Sequence, residues 1–289
     1  MFDYMKKESL ATMKVVIATF GSILVMVLAQ VLALLLANLI CAVGIPTAFC
    51  NLLAGIFYVL FTYLGLKVLC EKMLHIPLGE LRITKISLKP VWIVSAILMP
   101  LLVMVFFFLQ DGKWVKYEYT GNEFWVICVA TIFFYGFATG IVEEMVFRGV
   151  IFSAFEQGFG RTIAIILPSI VFGTIHMMET GISVWHMIQL CIGGVIVGIL
   201  YSLVAAHSGN MWNSAFIHAI WNMVMVGGIV HVGTEANKEV FHNYVLSSKS
   251  FLLTGGDFGI ESSLPAIIVY LVFIGVALYL LQRENAKNS

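Results

Sequence analysis

Three short groups of polar residues interrupt long hydrocarbon stretches. They are Glu143-Glu144-Met145-Val146-Phe147-Arg148, Phe172-Gly173-Thr174-Ile175-His176 and His218-Ala219-Ile220-Trp221-Asn222. Ionisable side chains at membrane depth are costly, so where they occur they mark a functional site by default. A carboxylate and an imidazole can take a proton from water, and amide or imidazole donors can stabilise an oxyanion. Together these residues hold the parts of a hydrolase that attacks with activated water.

On a helix, Glu144 and Arg148 stand at i and i+4 with the acid first, the better order for a pair. In low dielectric they are expected to neutralise each other. Glu143 lies about 100° further round and lacks that partner, which leaves it for chemistry; a purely structural polar knot is the competing reading. Gly158-Phe159-Gly160-Arg161 reads as a turn. Glu143 and His176 lie at similar distances on either side of it, roughly 23 Å away along antiparallel helices, so the two are expected at one depth. His218 and Asn222 share a helix face, roughly 12–18 Å from the His207-Ser208-Gly209-Asn210 turn and thus somewhat shallower. Interhelical hydrogen bonding is the alternative use for this pair. Ser153, Ser169, Ser202 and Ser214 are poor nucleophile candidates, since none sits in G-x-S-x-G. His75, His186, His207, His231 and His242 lie at loops or span ends and read as solvated or interfacial.

The elements that must position these groups are apolar. Hydrophobic residues make up 61% of the 289, charged residues only 11%, and the mean hydropathy is +0.99. Soluble domains carry about 25% charged residues, so this chain belongs in lipid. Zero net charge leaves no basic face for nucleic acid. Eight apolar segments are each near the ~20 residues that cross a bilayer: Val15–Val43, Leu52–Leu69, Val91–Leu109, Phe124–Phe155, Thr162–Met178, Trp185–Ala206, Met211–His231 and Leu264–Leu281. The expected fold is an all-α membrane protein of about eight transmembrane helices. It forms one polytopic domain over residues 1–289, with its site among spans four, five and seven. The fourth segment is too long for one simple crossing; it tilts, projects, or breaks near Gly140.

With the N-terminus inside, only Lys113, Lys116, Lys238 and Lys249 of the 16 Lys and Arg fall outside. This bias predicts both termini in the cytoplasm. The apolar run after Lys14 is too long for a cleaved signal and reads as the first span. Lys72–Lys89 reads as either an amphipathic surface piece or a solvated loop. The stretch Val232–Ser263, with a turn at Gly255-Gly256-Asp257, reads as an external loop. The five cysteines (Cys41, Cys50, Cys70, Cys128, Cys191) read as small buried hydrophobes, with no disulfide expected.

Glu-Glu-x-x-x-Arg, Phe-x-x-x-His and His-x-x-x-Asn, in that order across the later spans, resemble the motifs of the CPBP family, the CaaX protease and bacteriocin-processing or Abi enzymes. The resemblance runs from about Ala130 to Gly228, with a family-like core over about 124–231. It implies an intramembrane endopeptidase with a cavity open to the cytoplasm or the lipid, and the compact chain looks like the bacterial branch, in the bacterial cell membrane. In that pattern Glu143 and His176 activate water, His218 and Asn222 form the oxyanion hole, and Glu144 and Arg148 shape the site. Either no cofactor or one divalent metal such as zinc is implied, the metal being held, if present, by Glu143, His176 and His218. The implied substrates are membrane-associated peptides or proteins: prenylated CaaX tails, or bacteriocin or pheromone precursors. A non-catalytic immunity or scaffold protein and a proton-coupled transporter are the other classes in play.

Overall fold

The computed structural model describes residues 2–176, 184–256 and 259–288. Its main helices are α1 (Phe2–Ala42), α2 (Thr47–Val68), α3 (Pro90–Phe108), α4 (Gly121–Phe159), α5 (Arg161–His176), α6 (Val184–Ser208), α7 (Trp212–Met225) and α8 (Leu264–Asn288). Local chemistry sets several boundaries. Pro90 opens α3, where its missing N–H costs nothing. Thr120 and Glu123 form a capping box at the start of α4. Gly160 ends α4 at φ 85°, and Gly209 turns the chain between α6 and α7 at φ 70°.

Among the described residues, six helical stretches are long and apolar enough to cross a membrane, and the chain is an integral multi-pass membrane protein. The expected fifth and seventh spans are shorter: α5 has 16 residues and α7 has 14. At about 1.5 Å per residue they fall short of the ~30 Å hydrocarbon core. Met177 and Met178, at the end of the expected fifth span, and Asp257 of the expected turn lie outside the described residues. The long fourth segment does not break at Gly140. Helix α4 runs unbroken for 39 residues, about 58 Å by the α-helical rise. Two π-helical stretches, Ala130–Ala138 and Met145–Ile151, flank the α-helical Thr139–Glu144.

The bundle has two distinct ends. At one, β1 (Gly112–Lys116), β2 (Val230–Gly233) and β3 (His242–Leu246) form a sheet in the order β1-β3-β2, antiparallel then parallel. This sheet was not foreseen, and it joins the α3–α4 loop to the long loop after α7. The Tyr119 and Tyr244 hydroxyls donate to the Val240 and Gln110 carbonyls, both at 2.7 Å, and pin it. A Cys41–Cys50 disulfide closes the α1–α2 turn at the same end, with Cα atoms 6.0 Å apart. The reading of these two cysteines as unpaired hydrophobes was wrong: the α1–α2 turn folds back and brings them together.

At the opposite end the Lys72–Lys89 segment is an amphipathic surface piece rather than a solvated loop. Leu74, Leu78, Leu81 and Ile83 are buried. Arg82 pairs with Glu156 at 2.8 Å and lies over the Phe152 ring. The Arg82 carbonyl accepts from Met211 N, and Lys89 N donates to Asn213 Oδ1 at 2.7 Å. The segment is a packed belt tying α3, α4 and α7 together.

Small residues let the helices approach closely. A Cβ at Gly140 would stand 2.8 Å from the Ala219 backbone nitrogen, and one at Gly173 would stand 2.7 Å from Val195 N. These contacts draw α4 onto α7 and α5 onto α6, as small residues do between membrane helices. The variant Gly140→Leu is expected to lose about 1–3 kcal/mol of stability or more through overpacking. Gly275→Leu, where a Cβ meets open space, should leave thermal unfolding in detergent unchanged.

Candidate active site

The six candidate residues meet between α4, α5, α6 and α7. Glu144 and Arg148 are fully buried, and Arg148 Nη1 donates to Glu144 Oε1 at 2.8 Å. Arg148 Nη2 donates to the Gly198 carbonyl of α6 at 3.0 Å. The guanidinium also lies over the rings of Phe172 and Tyr201, at 4.7 and 5.3 Å from their centroids. The expected pairing on one helix is therefore present and is shared with two further helices.

His218 links the two acids. Its Nδ1 lies 3.2 Å from Glu144 Oε1 and its Nε2 lies 3.7 Å from Glu143 Oε2. Glu144 already accepts from Arg148, so the natural arrangement has His218 Nδ1–H donating to it. Nε2 is then turned toward Glu143. The depth gap expected between His218 and Glu143 is absent, because Gly140 lets α7 seat directly against α4. Glu143 does lack the arginine, but His218 is its neighbour.

His176 Nδ1 is 2.7 Å from the Phe172 carbonyl. A carbonyl only accepts, so Nδ1 carries the proton and Nε2 keeps its lone pair. Asn222 is held by the irregular backbone of α4. Thr139 N–H bonds to Phe134 O in π fashion, which leaves the Tyr135 carbonyl to accept from Asn222 Nδ2 at 3.1 Å. The second amide hydrogen of Asn222 stays available. π-Helical turns recur at functional sites for this kind of reason.

Glu143, His176, His218 and Asn222 all line one cavity of about 230 Å³. A larger apolar groove of about 700 Å³ between α2 and α4 contains none of the six candidates, so size does not choose the site. Among the described residues, no three His, Cys, Asp or Glu side chains are gathered as metal ligands. Glu143, His176 and His218 share the cavity without forming such a set.

Several cavity residues carried no signal in the sequence. Tyr201 stacks on His218, with centroids 4.9 Å apart and planes 29° apart. Its buried hydroxyl has no hydrogen-bond partner among the described residues. It sits in an apolar run of α6 where nothing sets it apart. Glu261 also lines the cavity, but it lies in a stretch that reads as external loop.

A family model described as type II CAAX prenyl endopeptidase Rce1-like matches residues 123–224, which bears out the resemblance read from the three motifs. The matched family is one of proteases, which supports a peptide hydrolase. No curated protein and no solved structure matches the chain.

Removing one member of the buried pair strands the other. Arg148→Gln and Glu144→Gln are each expected to cost about 3–5 kcal/mol. The check is folded yield and melting temperature in detergent, where both variants should fall well below wild type.

Proposed function

We propose that this protein is an intramembrane endopeptidase that hydrolyses a peptide bond of a membrane-associated peptide or protein with a water activated by Glu143 and His176. CaaX-type tails and bacteriocin or pheromone precursors are the two substrate types that fit the motif resemblance. The observation that carries the reading is the approach of His218 to Glu143 in a shared cavity, with Glu144 and Arg148 neutralising each other behind them.

The roles follow from the hydrogen bonds. Water sits between Glu143 and the Nε2 lone pair of His176. Glu143 takes its proton as the oxygen attacks the scissile carbonyl carbon. The carbonyl oxygen becomes an oxyanion, which accepts from the free amide hydrogen of Asn222 and from His218 Nε2 when that nitrogen is protonated. Glu143 then returns the proton to the leaving amine as the C–N bond breaks. The products are a carboxylic acid and an amine, between which the acid proton then passes, and the side chains end as they began. Glu144 holds His218 through Nδ1 and takes no proton. Each step uses only side chains of this chain, and no metal enters.

Glu143→Gln keeps the size of the side chain and removes the base. Cleavage of a quenched-fluorescent peptide by the purified protein should fall by more than ~100-fold, while folded yield stays at wild-type level. Normal cleavage by this variant would refute the role given to Glu143. A well-folded wild type that cleaves no peptide in a panel of prenylated and leader-type sequences would count against the protease reading itself.

A further inference from the structure

The hydrogen bonds described above leave the oxyanion with one permanent donor. His218 Nδ1–H is turned to Glu144 Oε1, 3.2 Å away. In the neutral imidazole Nε2 therefore carries a lone pair and cannot donate. Asn222 spends one amide hydrogen on the Tyr135 carbonyl and keeps one. A developing oxyanion is met best by several donors that are already in place. The cavity wall holds a further O–H that nothing in the fold engages.

Tyr201 lines the cavity together with Glu143, His176, His218 and Asn222. It is 1% exposed, and its hydroxyl has no hydrogen-bond partner among the described residues. Buried polar groups are as a rule paired, so an unpaired hydroxyl in the wall of a site calls for an acceptor from outside the fold. The ring itself is firmly held. It stacks on His218 at 4.9 Å between centroids, and the Arg148 guanidinium lies 5.3 Å from its centre. Tyr201 stands three residues after Gly198, so both share the α6 face to which Arg148 Nη2 donates. Gly198 lets that face come down on α5, where a Cβ would stand 2.9 Å from Ser169 Cβ. The phenol is thereby fixed beside the catalytic imidazole with its O–H uncommitted.

We propose that the Tyr201 hydroxyl is a further catalytic donor, which hydrogen-bonds the scissile carbonyl oxygen and holds it more tightly as that oxygen becomes an oxyanion. The assignment rests on the protease reading and adds a residue to its site. The tyrosine keeps its proton throughout. When the C–N bond breaks, the oxyanion returns to a carbonyl and the hydroxyl is released unchanged. Asn222 and Tyr201 then give the oxyanion two donors whatever the protonation of His218. The proposal also brings α6 into the reaction, although none of the three sequence motifs lies on that helix.

Tyr201→Phe deletes the hydroxyl and keeps the ring. Folded yield and melting temperature in detergent should stay at wild-type level, because no bond within the fold is lost. On the quenched-fluorescent peptide that wild type cleaves fastest, kcat should fall on the order of 100-fold with KM nearly unchanged, the pattern of a contact made in the transition state. Two non-cleavable versions of that peptide give a readout apart from turnover. One carries a hydroxyethylene group at the scissile bond, and the other a reduced amide with no oxygen there. Tyr201→Phe should bind the first about 10-fold more weakly than wild type does, and the second equally well. A normal kcat in Tyr201→Phe, or equal weakening of both analogues, overturns the assignment and leaves the protease reading standing. A melting temperature well below wild type also overturns it, since the hydroxyl would then serve the fold. If wild type cleaves no peptide of the prenylated and leader-type panel, the protease reading falls and this donor falls with it.

Discussion

The structure depends on one buried ion pair. A guanidinium and a carboxylate cannot be left unpaired in a low-dielectric interior, and Arg148 answers that constraint by reaching across the bundle. It binds Glu144 on its own helix and the Gly198 carbonyl on α6, and it lies over Phe172 of α5. Glu144 in turn meets His218 of α7. Four helices are thereby registered against a single charge pair. A neutral pair of similar shape would pack, but it would give His218 Nδ1 no acidic acceptor and Phe172 no cation. The position of the imidazole and the position of the carbonyl that orients His176 both follow from the same guanidinium.

This registration would be useless without close backbone approach. In lipid, apolar surface gives helices little reason to associate, so contact distance matters more. Gly140 against Ala219 and Gly173 against Gly194 bring polar residues on neighbouring helices to within reach of each other. The two helices that carry His176, His218 and Asn222 are also the two shortest main helices among the described residues. Most of α7 is buried, including Asn213, Ser214, His218 and Asn222. It behaves as the core of the bundle, with longer helices standing between it and lipid.

Much of this was legible in the sequence, for identifiable reasons. The i, i+4 spacing of Glu144 and Arg148 is a purely local relation, and it holds in three dimensions. Helical rise alone placed Glu143 and His176 at one depth, and both line the cavity. The shallower placement of His218 did not hold, because rise says nothing about how one helix seats on another. The Cys41–Cys50 bridge was missed because odd cysteine counts and apolar surroundings are statistics of whole chains, whereas the bond needs only one tight turn. The sheet was missed because its strands are four or five residues long and lie in separate loops. Tyr201 and Glu261 were invisible for a simpler reason: a tyrosine in an apolar helix and an acid in a loop are commonplace until a cavity passes beside them.

The π-helical stretch Ala130–Ala138 gives α4 a free carbonyl as well as a path. A π turn holds one more residue than the ordinary spacing and so absorbs that residue without turning the helix that follows. Losing that surplus residue would let the helix relax to α geometry with Glu143 still on the face toward His218. It would, however, return the Tyr135 carbonyl to Thr139 N–H and release Asn222. Chain length in this stretch is therefore constrained more tightly than residue type. Point substitutions among its lipid-facing side chains such as Phe133 and Phe137 should be absorbed, whereas loss of the surplus residue should be silent in hydropathy and leave Asn222 unheld.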